Sequence, residues 1–572
     1  MDIKMTNKIT QTRLNPRVQI ILSTGEVLEG DRGTTIETFL VGKIDTEAPI
    51  VGAVVNGELR ELTYTIKMES KVTPITMGDA DGMRFYRRSL TFLLAAAFEE
   101  LFPDNQLYID HSVSSGGYFC RVSKNIREED VRRLENRMRE LVEADLPFKR
   151  EVVPLGEAIE YARSRGYVDK VRLLAYRKKP TLVFYRLGEL RQYHHGYMVP
   201  STGYLKWFSL VKTYNDITLC FPRRHRPTEL QSTPEFPKLL STFRQYGDWL
   251  NKLGISSVGA LNDAITEGRS REVILVSEAL QERRISEIAA EIAAKQERIR
   301  LVLVAGPSSS GKTTFSKRLS VQLLARGISP FPIEMDNFFV DRDKTPIDET
   351  GEFDFESLGA VDVDRLNKNL KTLISGEKVR LPQYDFKRGL QLEGEEAQIS
   401  SNQIIILEGI HGLNPALLPL IPSDQTYRVY TSALTQLNLD RYNRVSTTDT
   451  RLIRRIVRDA AYRGYTASET IGRWESVRRG EKRYIFPYQE NADVHFNSAL
   501  VYESSVLGPL AEPLLRQVPF GTKEYIEAKR LLVFIQWFLP LDTELIPDNS
   551  IMREFVGGSI LREFSPWVAT EE

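Results

Sequence analysis

Apolar and polar positions follow different periods in different parts of the chain, and those periods predict its elements. From Arg17 to Gly30, RVQIILSTGEVLEG alternates apolar and polar residues around a Thr-Gly turn, as a β-hairpin does. VGAVVNGELREL repeats the pattern around Asn56-Gly57, so residues 1–80 are expected to form a small β-rich module. RRSLTFLLAAAFEELF and EEDVRRLENRMRELVEA change to helical spacing, the second placing Leu134, Met138 and Leu141 on one face. These fall in a second unit, residues 81–225. Residues 226–298 read as a helical connector, with Ser286 as a cap for SEIAAEIAAKQERIR. Buried-type strands then alternate with helices over 299–510, which predicts an α/β doubly wound parallel sheet. A C-terminal extension, 511–572, contains LLVFIQWFLPL (Leu531 to Leu541), too short and too interrupted to span a bilayer and expected as a core or interface strand.

One strand of the sheet region carries chemistry. In LVLVAGPSSSGKTTFSKRLS (Leu301 to Ser320) an apolar run ends at Gly306, and helical spacing resumes at Phe315. Between them Gly306-Pro-Ser308-Ser309-Ser310-Gly311-Lys312-Thr313 matches G-x-x-x-x-G-K-[ST], followed by Thr314. Glycines let successive N–H groups turn toward a polyphosphate, and the next helix directs its positive end there. Lys312 is placed to reach the terminal phosphates and Thr313 to ligate Mg²⁺.

Two more apolar runs end in carboxylates. FPIEMDNFF places Asp336 beyond a second parallel strand, and QIIILEG ends a third with Glu408. Ligands bind beyond the carboxyl ends of such strands. In TRLIRRIVRDAAYRG, Arg451, Arg454, Arg455 and Arg458 fall on one helix face, with Arg463 just beyond. Alone, such a stripe is a solvated face; beside a phosphoryl-transfer site it suits a lid.

Composition narrows the setting without naming a substrate. Lys+Arg and Asp+Glu both total 77, so any nucleic-acid contact must come from a local patch such as PRRHRP (Pro222 to Pro227). The two cysteines are far apart, which fits a reducing, cytoplasmic setting, and no signal-peptide core or membrane span is evident.

Residues 299–510 resemble the uridine kinase and phosphoribulokinase group of P-loop kinases through GPSSSGKTT, MDNFF, GEFDFESLGAVD, LPQYDF, LEGIHGL, TRLIRRIVRD and NADVHF, in the family's order. The resemblance implies that Asp336 is the base for the acceptor hydroxyl, that Glu408 belongs to the Mg²⁺ site, and that the arginine helix is the lid. It implies ATP or GTP as donor. Phe355, Glu356, Tyr384 and Phe386, with Arg458 and Arg463, are the matching acceptor-side positions. The match departs where the family reads a pyrimidine: Glu356 replaces an aspartate, Gly389 a histidine, Tyr465 an arginine and Glu469 a glutamine.

The first half carries a second resemblance. VNGELRELTYTI through DADGMRFYRRS is similar to the TGS module of threonyl-tRNA synthetase. YRRSLTFLLAAAFEELFPDNQLYI through YHHGYMVPSTGYLKWF is similar to that enzyme's editing domain. The editing site uses H-x-x-x-H and C-x-x-x-H; here those positions are Arg88 and Phe92, and His194 and Met198. That set does not make a metal or hydrolytic site. Arg88, His194, His195 and Tyr197 remain as groups that can line a ligand cleft.

The expected protein is a Mg²⁺-dependent kinase of nucleoside-like small-molecule acceptors, using ATP or GTP, with Asp336, Lys312, Arg451 and Arg455 catalytic. RNA or a small ligand is expected at the N-terminal module, no membrane is involved, and a homo-oligomer is compatible with the chain. The competing expectation is an RNA- or tRNA-associated NTPase whose nucleotide state controls that module.

Overall fold

The computed structural model describes residues 15–113, 116–194, 196–231, 236–349, 351–435 and 437–566. The first module is a five-stranded sheet of β1 (Arg17–Leu22), β2 (Val27–Asp31), β3 (Ile50–Val55), β4 (Glu58–Glu61) and β5 (Ser70–Thr76), with the short helix α1 (Ile36–Leu40). Both predicted hairpins are present, β1–β2 and β3–β4, and β5 lies parallel to β1. Asn56 and Gly57 take φ of 50° and 81°, the left-handed pair that a two-residue hairpin turn requires.

The second unit opens with α2 (Ala80–Leu101) and continues through β6 (Leu107–Val113), β7 (Gly117–Val122), α3 (Glu128–Glu143), β8 (Lys149–Pro154), α4 (Leu155–Ser164) and α5 (Val168–Ala175). It ends with β9 (Thr181–Leu187), β10 (Leu190–Tyr193), β11 (Ser209–Thr213) and β12 (Asp216–Cys220), which complete two antiparallel sheets. Helix α3 buries Val131, Leu134, Met138 and Leu141, the face its spacing predicts. The connector consists of α6 (Pro237–Leu253), α7 (Val258–Thr266) and α8 (Ser270–Ala293). Ser286 is inside α8 and caps nothing: the helix begins at Ser270, and Ser286 instead accepts two hydrogen bonds from Arg326.

The sheet that positions the chemistry is built from β13 (Leu301–Ala305), α9 (Lys312–Leu324), β14 (Ser329–Glu334), α10 (Val363–Ile374), the hairpin β15 (Val379–Asp385) and β16 (Leu390–Ala397), β17 (Gln403–Glu408), β18 (Thr426–Ser432), α11 (Thr447–Tyr462), α12 (Ala467–Tyr484) and β19 (Val494–Asn497). Its five strands are all parallel, in the order β14-β17-β13-β18-β19. Side chains alternate between faces along each strand. Val302, Val304, Ile404 and Ile406 therefore meet Phe315 and Leu319 of α9 and Ile288 of α8, while Leu301, Leu303, Ile405 and Leu407 meet Leu366, Leu370 and Leu373 of α10. Coverage on both faces explains the unbroken apolar runs in the sequence.

Helices α13 (Glu503–Arg516), α14 (Lys523–Ile535) and α15 (Arg553–Val556) close the chain, α13 running across position 510. The expected strand at Leu531 to Leu541 is instead the end of α14 and the turn after it. Ala528, Leu531, Phe534 and Ile535 are buried at helical spacing, and Thr522 caps the helix by accepting from the Tyr525 N–H. The apolar run taken alone hid the period, which starts upstream in KEYIEAKR.

Candidate active site

The carboxyl ends of β13, β14 and β17 bring together the three motifs. Gly306 ends β13 so close beneath β18 that a Cβ would stand 1.9 Å from the Thr431 carbonyl oxygen. Ser309 and Gly311 take φ of 57° and 80°, which turns the loop into the start of α9 at Lys312. The Ser309 and Ser310 hydroxyls are buried and have no hydrogen-bond partner among the described residues. Orphaned donors at a helix N-terminus suit a bound polyphosphate. Lys312 Nζ rests 3.4 Å from the Pro307 carbonyl, and Thr313 Oγ1 donates to Glu408 Oε2 at 3.0 Å. A hydroxyl and a carboxylate held together are hard oxygen donors of the kind Mg²⁺ takes alongside substrate phosphates.

The site holds three carboxyl groups whose proton affinity is raised. Burial pushes Glu408 up to about 7, against the pull of Lys312, with Asp336 and Glu554 adding like charge. Burial raises Asp336 as well, Lys312 opposing and Glu334 reinforcing. It lies just past β14 in a short 3₁₀ turn, exposed toward the cleft while the protein packed around it still weakens the solvation of its charge. Glu356 also rises to about 7, chiefly by burial, and its Oε2 has no partner among the described residues. It fits because Gly480 on α12 leaves room: a Cβ there would come within 2.3 Å of the Glu356 Cβ. Lys312 acts on all three, joined by Arg455 at Glu356 and Arg463 at Asp336, so the acids share a few cations in an arrangement that a metal ion and a phosphate-bearing substrate would reorganise.

The arginines of α11 divide into two sets. Arg451 and Arg454 are 1% and 0% exposed, so they are not part of a solvated face. Arg451 is paired with Glu481 and donates to the Ser308 carbonyl at 2.9 Å; Arg454 is paired with Glu503 and donates to the Ser309 carbonyl at 3.4 Å. Both brace the phosphate loop from behind, and Arg451 is not in the expected lid. The reason is packing: Leu452, Ile453 and Ile456 bury the same helix in the core. Arg455 does reach the site, donating to Ser308 Oγ at 3.0 Å and acting on Glu356. Asp459, 2% exposed, gathers Arg455, Arg458 and Arg463.

Beside Asp336 lies an aromatic wall. Phe339, which follows the 3₁₀ turn, has its ring 6.2 Å from Phe355, 5.7 Å from Tyr384 and 6.4 Å from Phe386. Phe353 extends it, 6.1 Å from Phe355. Phe355 and Phe386 are 37% and 59% exposed, so they offer faces to a ligand, whereas Tyr384 is buried with its hydroxyl unpartnered among the described residues. Gly389 turns the β15–β16 hairpin at φ 71°, and a Cβ there would strike the Arg342 guanidinium at 2.7 Å. Arg342 fills the space and donates to the Phe386 carbonyl. Glu469 forms a capping box with Thr466, and Tyr465 lies under Arg473.

Sequence reasoning missed Phe339, Phe353 and Glu554. The two phenylalanines stand inside motifs already singled out, MDNFF and GEFDF. Glu554 of α15 accepts from the Thr314 N–H at 3.4 Å and hydroxyl at 2.9 Å, at the N-terminus of the helix that follows the phosphate loop. Its distance along the chain left no signal.

In the first half, Phe92 packs against His194 with ring centroids 5.1 Å apart and planes tilted by 52°, and Phe92 and Met198 are core residues. Burial and the neighbouring Lys170 and Arg88 hold His194 neutral. Arg88, His194 and Tyr197 line a cavity of about 780 Å³ between the first half and α14. His195 lies outside the described residues.

Residues 301–502 match the model of the phosphoribulokinase / uridine kinase family. The N-terminal part is similar to threonine–tRNA ligases. That of Polaromonas naphthalenivorans is 35% identical over 164 residues, 28% of this chain and 26% of that protein. That of Aromatoleum aromaticum is 32% identical over 197 residues, 34% of this chain and 31% of that protein. The chain thus spans between a quarter and a third of the length of these relatives. Among solved structures, one described as a possible uridine kinase from Bacillus stearothermophilus is 24% identical, covering 38% of this chain and 98% of its own, with a TM-score of 0.26. D-glycerate 3-kinase from Cryptococcus neoformans is 16% identical, covering 36% and 87%, with a TM-score of 0.25. Residues 301–502 are a phosphoribulokinase / uridine kinase family domain, joined to an N-terminal part that is similar to threonine–tRNA ligases.

Proposed function

We propose that this protein is a kinase that transfers the terminal phosphoryl group of ATP or GTP to a hydroxyl of a nucleoside-like acceptor. The observation that carries the reading is the meeting of Asp336, Lys312 and the Thr313–Glu408 pair beside orphaned phosphate-loop hydroxyls. A pure nucleotide switch has no use for a carboxylate with raised proton affinity at the acceptor side. The donor phosphates lie along the N-terminus of α9, where Ser309, Ser310 and Lys312 bind them. Thr313 and Glu408 would hold Mg²⁺, which supplies charge neutralisation to the phosphates. Asp336 orients the acceptor hydroxyl and takes its proton as the oxygen attacks. Arg455, with Arg458 and Arg463, offsets charge on the transferred group, as a loose transition state demands. Phe339, Phe355 and Phe386 supply a stacking wall for a planar or apolar acceptor, and Glu356 a hydrogen-bond acceptor for a diol. The test is a screen of nucleosides, pentoses and small alcohols with ATP and GTP for phosphorylated product by mass spectrometry. Product that disappears in Asp336→Asn supports the reading; nucleotide hydrolysis alone, unaffected by that change, refutes it.

A second reading, an RNA-associated NTPase, has one observation in its favour. A cleft of about 1090 Å³ between the two halves has Arg87, Arg224, Arg444, Arg478 and Lys482 in its lining, interspersed with Asp348, Glu349, Asp354, Asp449 and Glu475. Burial and the neighbouring Arg478 and Arg224 push Lys482 down to about 8, a sign of crowded positive charge. Salt-dependent RNA binding that changes hydrolysis, with no acceptor phosphorylated, would favour it.

A further inference from the structure

A chain of ionic hydrogen bonds leaves the first half and ends beside the phosphate loop. Arg84 of α2, held on its own helix by Asp81, donates to both carboxylate oxygens of Glu527 on α14, at 2.9 and 3.2 Å. Glu527 accepts in turn from Arg530, one turn further along α14, at 3.0 and 2.6 Å. Arg530 then grips both oxygens of Asp449, at 2.6 and 2.8 Å. Such two-point pairs fix orientation as well as distance. All four side chains are largely buried. Burial opposes the charge on Glu527, yet Arg530 and Arg84 hold its carboxyl well below the ordinary range.

Asp449 stands in the first turn of α11, two residues before Arg451. The Ser446 side chain at the head of that helix makes no capping bond among the described residues. In a capping box the third helical residue reaches back to the cap N–H; here both oxygens of Asp449 accept from Arg530 instead. The stretch leading into α11 is clasped by the first half as well. Arg441 donates to Asp169 of α5 at 2.9 and 3.1 Å, and its carbonyl accepts from the Ile109 N–H of β6 at 2.8 Å. Asn443 donates to the Tyr193 carbonyl of β10 at 2.9 Å. From this anchored start α11 delivers Arg451 to the Ser308 carbonyl and Arg455 to the Ser308 hydroxyl. A tilt of α11 about its first turn moves both contacts, and with them the loop that cradles the donor phosphates.

We propose that Arg530 is a positioning residue for the nucleotide site: anchored to the first half through Glu527 and Arg84, it fixes the start of α11 and so sets the two arginines on Ser308. This role depends on the nucleotide-binding part of the proposed function and not on its acceptor. It is tested on the full chain by calorimetry with MgADP in the wild type, Arg530→Gln and Lys529→Gln. Lys529, the preceding residue of α14, ties the same helix to the first half through Glu58 at 2.6 Å. Arg530→Gln weakens MgADP roughly fivefold or more in protein that circular dichroism shows to be folded, whereas Lys529→Gln changes it by less than about twofold. A double-mutant cycle separates positioning from general loosening. Combined with Arg455→Gln, Arg530→Gln costs less than the product of the two single effects, because the Arg455 contact already depends on it. If Arg530→Gln fails to fold, Arg84→Gln, which cuts the chain at its more exposed end, is put through the same cycle and decides. Wild-type binding that is indifferent to Arg530→Gln, an equal loss in Lys529→Gln, or single effects that simply multiply overturns the proposal and leaves the nucleotide site standing. No binding of MgADP to the wild type removes the nucleotide site itself, and the proposal with it.

Discussion

Glu408→Gln should make the protein more stable and less active at the same time, in a way that depends on pH. Burial raises the Glu408 carboxyl from the ordinary 4.5 to about 7. Between those values the native state keeps a proton that the unfolded chain has released, so stability falls as pH rises through that window and stays lower above it. The full difference corresponds to about 3 kcal/mol at roughly 1.4 kcal/mol per pKa unit. Glu408 keeps an edge toward the cleft, and solvent screening there reduces the expected cost to about 1–2 kcal/mol. Glutamine keeps an oxygen for the Thr313 hydroxyl but carries no charge. The variant should therefore melt about 2–6 °C higher than the wild type at pH 8 in EDTA, with the gap closing toward pH 5. Its phosphoryl transfer should fall by roughly 10²-fold or more, since a metal-orienting carboxylate is gone. Thermal melts at both pH values, paired with turnover in Mg²⁺, check this. A variant that is less stable at pH 8, or a gap equal at pH 5 and pH 8, would refute the reasoning.

Other expectations separate structural from chemical roles. Lys312→Ala and Thr313→Ala should each nearly abolish phosphoryl transfer while the protein stays folded; unchanged turnover in both would remove the phosphate loop from the mechanism. Arg454→Ala should destabilise the protein by about 3–5 kcal/mol in denaturant unfolding, because it leaves Glu503 buried without its partner. Arg455→Ala should instead reduce turnover by roughly 10-fold or more with a stability change under about 1 kcal/mol, since it reaches the cleft. Glu554→Ala frees the two Thr314 donors at the N-terminus of α9, so donor affinity should rise by roughly 3–10-fold in a titration; weaker binding would mean that Glu554 supports the nucleotide. Uridine should show no strong preference over purine nucleosides or pentoses in steady-state kinetics, because Arg342 and the Gly389 turn occupy the space of a base-reading side chain.

Motifs that couple a strand end to a fixed backbone need were legible in the sequence. Gly306 and Gly311 are where a close approach and a left-handed turn demand them, and Asp336 and Glu408 stand past β14 and at the end of β17 because a parallel sheet presents its carboxyl ends to ligand. The arginine stripe was legible as a helix face but not as two faces: spacing cannot tell that Glu481 and Glu503 arrive from α12 and α13 to bury Arg451 and Arg454. The place of Glu554 and the chain from Arg84 to Asp449 depend on tertiary contacts across hundreds of residues, for which local pattern holds no information. The strand expected at Leu531 failed for the opposite reason, a local window too short to include the helix that leads into it.

The central claim is that phosphate leaves the donor for an acceptor hydroxyl positioned by Asp336. Its most direct measurement uses ATP labelled in the terminal phosphoryl group, with Mg²⁺ and a mixed panel of nucleosides and pentoses, and follows where the label goes in the wild type and in Asp336→Asn. Label should appear on an acceptor with the wild type and fall by roughly 10²-fold or more in the variant, while both proteins still bind the nucleotide. Label found only in inorganic phosphate, at the same rate in both proteins, would contradict the account.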